Sequence, residues 1–270
     1  MKIQIYNEDC LVTMQSIPVG QFDLIITSPP YNTNKKAGKV RTTKNTTVKD
    51  SQYQYVRYDS YIDNIPNDQY AKWTANLFNE FDRVLNIGGV VLYNLSYGSE
   101  NTEAMFKAIT AVIDQTPFTI ADVIVWKKHS ALPNSCSSNR LTRVCEFIYV
   151  FCRKTELMTF NCNKDKKTKR PNGQQMYANI PNIITAANND GANPLNKATY
   201  STELVSKLLE IYGTPGSWVY DPFMGTGTTA VACYRHGFNC IGSELSKDQT
   251  EYAIKRIEEE KSQLRFDIFN

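Results

Sequence analysis

The chain is short of the residues that build metal sites and disulfide frameworks. Its 270 residues contain only two histidines, His129 and His236, and its seven cysteines, at positions 10, 136, 145, 152, 162, 233 and 240, include no C-x-x-C pair. An odd number of thiols at irregular spacing argues against a disulfide scaffold, and the shortage of histidine and paired cysteine argues against zinc or any other metal. Reduced thiols and a cytoplasmic location are therefore expected, with Cys145 and Cys152 serving as core residues of one strand. No stretch approaches 18 consecutive apolar residues, so no membrane-spanning helix is expected. The charged opening Met1-Lys2-Ile3-Gln4-Ile5-Tyr6-Asn7-Glu8 does not read as a secretory signal. A formal net charge of +3 is too small to demand an acidic partner. A chain of this length can bury about three-quarters of its unfolded surface in one core, so a single domain over residues 1–270 carrying a short inserted element is the economical organisation.

What is present is a regular alternation of two periodicities. Apolar runs read as strands at about 2–6, 22–27, 89–95, 118–126, 145–152, 217–221 and 238–243, and helical spacing appears near 9–16, 68–86, 100–114, 200–212, 228–236 and 247–263. Strands that alternate with helices imply an α/β fold, doubly wound, with a mostly parallel sheet of seven strands covered on both faces.

Two segments carry chemistry. Directly after the strand Phe22-Asp23-Leu24-Ile25-Ile26 stands Thr27-Ser28-Pro29-Pro30-Tyr31. Each proline fixes its own φ and removes a backbone donor, so Pro29 and Pro30 stiffen a turn that presents carbonyl acceptors at small entropic cost. Acceptors without competing donors suit an exocyclic amino group. Ser28 adds a hydroxyl, and the ring of Tyr31 can stack on a base, at roughly 1–3 kcal/mol. The plainer alternative is an X-Pro-Pro turn with Tyr31 in a satellite core.

Near the other end, the strand Trp218-Val219-Tyr220-Asp221 leads into Pro222-Phe223-Met224-Gly225-Thr226-Gly227-Thr228-Thr229-Ala230, where Gly225, Gly227 and Ala230 fit a G-x-G-x-x-G/A spacing. A further strand, Phe238-Asn239-Cys240-Ile241-Gly242-Ser243-Glu244, ends in a carboxylate 19 residues beyond the first glycine. Strand, glycine turn, helix, strand and acid in this order point to a nucleoside cofactor, with Glu244 on ribose hydroxyls; a tight turn followed by a surface glutamate is the alternative.

Together these motifs resemble the amino-methyltransferases of DNA, which move a methyl group from S-adenosyl-L-methionine to cytosine N4 or adenine N6. The catalytic-type motif precedes the cofactor-type motif, the order of the β-type permutation in that family, so the resemblance implies a Rossmann-like methyltransferase sheet in circularly permuted order, with one antiparallel strand. It also extends to Asn7-Glu8-Asp9-Cys10-Leu11, to Ile124-Val125-Trp126-Lys127-Lys128, to Glu146-Phe147-Ile148-Tyr149-Val150-Phe151, and to Asn193-Pro194-Leu195-Asn196-Lys197-Ala198-Thr199, where Asn193 stands at a position that is histidine in many relatives. The roles it implies are catalytic for Ser28, Pro29, Pro30 and Tyr31. For the cofactor they are Asp9 on the adenine amino group, Pro222 and Phe223 along the methionine channel, and the turn Gly225-Thr226-Gly227-Thr228-Thr229, whose amides and helix opening suit a carboxylate. Asp221 would contact the cofactor ammonium or hold the turn. Thr199, Ser201 and Thr202 would cap the next helix, one of them also reaching the cofactor.

The expected substrate is double-stranded DNA with its target base flipped out of the stack. Residues 32–60, with Lys35, Lys36, Lys39 and Arg41, form a long polar loop expected to be mobile and to close on DNA; from Asn32 to Tyr58 seven basic residues oppose Asp50 alone, a net +6. Tyr53, Tyr55, Tyr58 and Tyr61 could stack on bases or belong to a half-buried strand. Residues 153–193 are the expected target-recognition insert; within them Lys164, Lys166, Lys167, Lys169 and Arg170 oppose Asp165, a net +4, and Asn172, Gln174 and Gln175 could read adenine edges or form a polar turn. Serine at the first motif position favours cytosine N4 by family resemblance, with adenine N6 the alternative and a DNA-binding regulator without turnover, or a methyltransferase acting on RNA or a protein amide, further behind. A homodimer and a cognate restriction endonuclease are further candidate partners.

Overall fold

The computed structural model of the chain describes residues 1–33, 64–98, 100–129, 138, 141–191, 195 and 199–268, with side chains to 263. Its main sheet contains β1 (Ile3–Tyr6), β2 (Phe22–Thr27), β3 (Leu85–Leu95), β4 (Phe118–Lys128), β5 (Cys145–Arg153), β8 (Ile183–Ala186), β9 (Trp218–Asp221) and β10 (Asn239–Ser243); β6 (Lys166–Lys169) and β7 (Gln175–Tyr177) form a separate hairpin. The helices are α1 (Cys10–Ser16), α2 (Asn67–Val84), α3 (Ala104–Gln115), α4 (Thr202–Tyr212), α5 (Thr228–Arg235) and α6 (Lys247–Ile268). Strand order is β1-β10-β9-β2-β3-β5-β4-β8. Every neighbouring pair is parallel except those of β5, which runs against both β3 and β4.

The strands read as nearly unbroken apolar runs because both faces of the sheet are covered. Successive side chains alternate between the two layers. Ile25, Val91 and Tyr93 join the core formed with α1, α2 and α3, whereas Leu24, Ile26, Val90 and Leu92 join the core formed with α4, α5 and α6. On α2 the buried positions Tyr70, Thr74, Leu77, Phe78, Phe81 and Val84 recur at intervals of one to four, giving the apolar stripe that covers the sheet. Asp9 and Ser201 start α1 and α4 by accepting from Leu11 N and Leu204 N.

Seven strands were expected and the main sheet has eight. The additional strand, β8, pairs with β4 and so belongs to the sheet although it lies inside the segment 153–193 assigned to target recognition. Its four residues are two exposed and two buried and follow Pro181, too short a pattern to stand out. The strand expected at 89–95 begins at Leu85, directly where α2 ends. Residues 34–60 of the loop expected to close on DNA, with Lys35, Lys36, Lys39, Arg41, Tyr53, Tyr55 and Tyr58, lie outside the described residues, as do Tyr61, Cys136 and most of 192–198. Among the described residues no helix is long and apolar enough to cross a membrane.

What positions a site is the reversal of winding between β2 and β9. These strands are neighbours, with Leu24 opposite Val219 and Ile25 opposite Tyr220. The chain leaves β2 through α2 toward β3 on one side and leaves β9 through α5 toward β10 on the other. At such a switch point the two connections diverge and a crevice opens beyond the strand carboxyl ends.

The sheet depends most heavily on an aromatic cluster under α2. Phe78, fully buried, has ring centroids of Phe81, Tyr93, Phe118 and Phe151 within 4.9–5.5 Å. Phe78→Ala is expected to lower unfolding free energy by about 3–5 kcal/mol, measured by urea denaturation; a loss under ~1 kcal/mol would mean that the cluster collapses around the void.

Candidate active site

Thr27 ends β2 and Asp221 ends β9, and their side chains meet: Thr27 Oγ1 donates to Asp221 Oδ1 over 2.7 Å. Asp221 is fully buried. Its Oδ1 also accepts from Phe223 N at 3.0 Å, and its Oδ2 accepts from Thr229 Oγ1 at 2.6 Å and Tyr200 Oη at 3.0 Å. Four donors therefore hold one carboxylate, drawn from the end of β2, the glycine turn, the start of α5 and the segment before α4. Burial raises its pKa, and the hydrogen bonds from Thr229, Thr27, Phe223 and Tyr200 oppose that rise. Of the two roles anticipated for Asp221, ammonium contact or turn-holding, its geometry is that of the latch, with both oxygens engaged by the chain itself.

Beside this latch lies an open cleft. Ser28 and Pro30 line it together with Pro222, Phe223, Gly225 and Thr228, and with Glu8, Asp9 and Glu244. The two motifs, almost 200 residues apart, thus line a single crevice. Gly225 (φ 54°) and Gly227 (φ 86°) are left-handed, as the turn requires. They differ in what else they permit: Gly225 faces the cleft, whereas a Cβ on Gly227 would sit 2.8 Å from Cβ of Ala253, so that glycine allows α6 to approach. Glu244 accepts from Gly225 N at 2.9 Å and Ser246 N at 2.8 Å, one bond to each oxygen. Burial raises its pKa too, against the pull of those amides.

Other anticipated residues are distributed unevenly. Asp9 lines the cleft while capping α1. Thr229 is buried beneath the cleft on Asp221. Thr226 turns away into a smaller hollow with Asp190, Tyr252 and Arg256. Thr199 lines the cleft, and Ser201 caps α4. Pro29 and Tyr31 are not part of the cleft wall. Instead the Tyr31 hydroxyl lies in a polar cluster behind Ser28, 3.0 Å from Ser28 Oγ, donating to Glu146 Oε2 at 2.8 Å and accepting from Asn94 Nδ2 at 2.8 Å. The carbonyl of Pro30 accepts from Tyr70 Oη at 2.7 Å.

Several residues of the site were invisible to pattern reading. Trp73 on α2 lies 5.8 Å from the ring of Phe223 and walls the cleft, but an aromatic on an amphipathic helix reads as core. Asn32 is buried and left-handed (φ 53°), its side chain paired with both Ile65 N and Ile65 O, and its carbonyl accepts from Asn101. That lock holds the exit of the proline turn, and only the tolerance of asparagine for positive φ hinted at it. Lys166, Lys167, Lys169 and Arg170 are exposed on the β6–β7 hairpin, which does not join the main sheet. The Gln174 and Gln175 amides bond Arg170 and Lys167 O within that hairpin.

The profile of a family described as DNA methylase matches residues 22–255 of the chain. The Type II methyltransferase M.MthZI of Methanothermobacter thermautotrophicus is 25% identical over 269 residues, covering 91% of this chain and 74% of that protein. Among solved structures, the cytosine-N4-specific PvuII DNA methyltransferase superposes with a TM-score of 0.70 at 17% identity over 94% of this chain and 86% of that one. M1.HpyAVI in complex with SAM superposes at 0.58 and 22% identity, over 94% and 99%. The structural likenesses carry the fold.

The latch has a direct thermodynamic test. Asp221→Ala strands three hydroxyls and an amide in a buried site and is expected to cost about 3 kcal/mol by urea denaturation, whereas Asp221→Asn, which keeps an acceptor and removes the buried charge, should cost about 1 kcal/mol. Equal losses would show that the charge, not the bonding, is what matters.

Proposed function

We propose that this chain, which belongs to the DNA methylase family, transfers a methyl group from S-adenosyl-L-methionine to the exocyclic amine of a base turned out of duplex DNA, with cytosine N4 as the favoured acceptor. The observation that carries the reading is the Thr27–Asp221 hydrogen bond, which ties the proline turn to the glycine turn at one switch point.

The residues present fit the cofactor. Glu244 accepts from Gly225 N and Ser246 N on different oxygens and also from the Leu245 amide, so of the about four acceptor sites of a carboxylate one remains for a ribose hydroxyl. The start of α5 at Thr228 faces the cleft and gives a positive end for a carboxylate. Pro222, Phe223 and Leu245 supply apolar wall, and Asp9 keeps one oxygen clear of the helix cap, which uses Oδ1. Bound there, the cofactor supplies a methyl group on a cationic sulfur, a good leaving group.

The chain's own contribution is orientation and acceptance of hydrogen bonds. The lone pair of a base amine is delocalised into the ring, so the amine is a poor nucleophile. Ser28 Oγ and a carbonyl of the Ser28-Pro29 unit, each accepting one amine hydrogen, favour a more tetrahedral nitrogen whose lone pair points at the methyl group. Orientation of this kind can contribute ~7–11 kcal/mol. The proline turn holds these acceptors rigidly because Asn32, Tyr70 and Asn101 fasten its exit. The basic β6–β7 hairpin is the described segment best suited to phosphates.

Incubating the protein with labelled methyl donor and mixed-sequence duplex, followed by nucleoside mass spectrometry, should yield N4-methylcytosine. N6-methyladenine instead would overturn the choice of base, and no methylated nucleoside despite measurable cofactor binding would overturn the activity. Ser28→Ala should lower the rate about 100-fold, in line with loss of one preorganised polar contact at a reacting atom.

Glu244 gives the cofactor site a pH dependence of defined sign. Because burial raises its pKa, it takes up a proton above the ordinary glutamate value of about 4.3, and a protonated acid loses acceptor capacity. Calorimetric affinity for S-adenosyl-L-methionine should therefore weaken on acidification, and should begin to do so at a higher pH than an ordinary glutamate would give. Glu244→Gln should bind more weakly throughout, without that acid limb.

A further inference from the structure

Behind the proline turn lies a hydrogen-bonded chain that joins three elements of the sheet. It runs from Ser28 Oγ to Tyr31 Oη (3.0 Å) to Glu146 Oε2 (2.8 Å), and the second carboxylate oxygen, Oε1, is paired with Lys128 Nζ at 2.5 Å. Ser28 and Tyr31 follow β2, Glu146 lies on β5 and Lys128 ends β4. Asn94, on β3 and almost fully buried, adds its Nδ2 to Tyr31 Oη at 2.8 Å, to Glu146 Oε2 at 3.2 Å and to Ser28 Oγ at 3.4 Å.

The direction of every bond in this chain follows from its far end. A carboxylate accepts only, and Lys128 donates only. Tyr31 must therefore donate its single hydroxyl hydrogen to Glu146. The amide nitrogen of Asn94 must face Glu146, because the amide oxygen would meet the carboxylate. Tyr31 Oη then has acceptor sites alone for Ser28, so the Ser28 hydroxyl donates toward Tyr31 and turns its own lone pairs away from it. Ser28 is thereby kept as an acceptor, which is what an amine presenting two hydrogens requires.

We infer that Glu146 is a positioning residue for methyl transfer: acting through Tyr31, it holds Ser28 as an acceptor for the target amine and receives the proton which that amine releases. The inference rests on the amine-methylation reading above. Once the methyl group has moved, the nitrogen is cationic. Its N–H bond breaks, with the electron pair staying on nitrogen, and the proton passes to Ser28 Oγ as the Ser28 proton passes to Tyr31 Oη and the Tyr31 proton to Glu146 Oε2. The base becomes neutral and the carboxylate becomes a carboxylic acid. Glu146, with 19% of its side chain exposed, then returns the proton to water. Charge and atoms balance without a further reactant.

Glu146→Gln makes the direction testable. Lys128 would draw the glutamine oxygen, leaving the glutamine NH2 to donate to Tyr31; the tyrosine hydroxyl would then swing to Ser28, and Ser28 would present its hydrogen to the amine. Removing the lysine as well, in Lys128→Met/Glu146→Gln, lets the glutamine oxygen face Tyr31 and restores the original direction. Single-turnover methyl transfer should fall about 100-fold in Glu146→Gln, within the range typical for a positioned proton acceptor, with the cofactor Kd unchanged, and the double variant should recover at least tenfold of it. At the mapped target site, the wild type should bind the normal base in preference to an analogue whose amine is replaced by hydrogen, and Glu146→Gln should lose that preference.

A Glu146→Gln rate within twofold of wild type, or a double variant no faster than the single one, would overturn the inference and leave Glu146–Lys128 as an ion pair of the fold. Should Glu146→Gln fail to fold by circular dichroism, Tyr31→Phe cuts the same chain: it must show the same rate loss and the same lost preference, and a wild-type rate in that variant would overturn the inference equally. A wild-type protein that binds cofactor but methylates no duplex would fail at the function itself, a result distinguishable from all of these.

Discussion

One buried carboxylate organises the site. Asp221 gathers Thr27, Phe223, Thr229 and Tyr200 around itself, and these belong to three separate stretches of chain. A charge buried without partners would be prohibitive, so all four donors must be present together, and their presence fixes where β2, the glycine turn, α5 and the segment before α4 end relative to one another. The cleft is the space that remains beside this knot. Its position at a switch point follows from winding, whereas its definition at the level of ångströms follows from Asp221.

From that knot the two halves of the crevice acquire different characters. On the glycine side, the amino end of α5 at Thr228 brings its positive pole to the cleft, beside half-buried Glu244. On the proline side, donors have been removed or used: Pro29 and Pro30 have no N–H, the Tyr31 hydroxyl is committed to Glu146, and Tyr70 occupies the Pro30 carbonyl. A positive helix end that suits an anion and a turn that offers acceptors therefore line the same cleft. That asymmetry is a chemical statement about what can bind on each side, and it agrees with membership of a family of DNA methylases.

The permuted order of the chain has no mechanical consequence for this arrangement. β9, α5 and β10 come last in sequence, yet β9 is inserted beside β2 and β10 beside β1, so all the relevant strand carboxyl ends face the same way. Cutting the chain at a different loop leaves the crevice intact, because strand neighbours are chosen by register and burial rather than by distance along the chain.

Much of this was legible in the residues. Period-two and period-3.6 patterns gave seven of the eight main-sheet strands and all six helices to within a few residues, since a doubly covered sheet demands long apolar runs and amphipathic helices demand a stripe. The proline turn and the glycine turn were legible for a similar reason: each is a local backbone solution that few residue types can adopt. Hidden were β8, too brief to show a period, and the partners that make the site specific. Tyr200 on Asp221, Trp73 beside Phe223, Asn32 on Ile65, and Glu146 on Tyr31 are contacts across 21 to 150 residues or lie within elements whose pattern reads as plain core. The amino-acid sequence by itself determined which segments are rigid, apolar or left-handed, because those properties are local. Only the tertiary structure decided which donor meets which acceptor, because hydrogen bonding at a buried site depends on side chains brought together by the sheet, and no local pattern encodes a partner a hundred residues away.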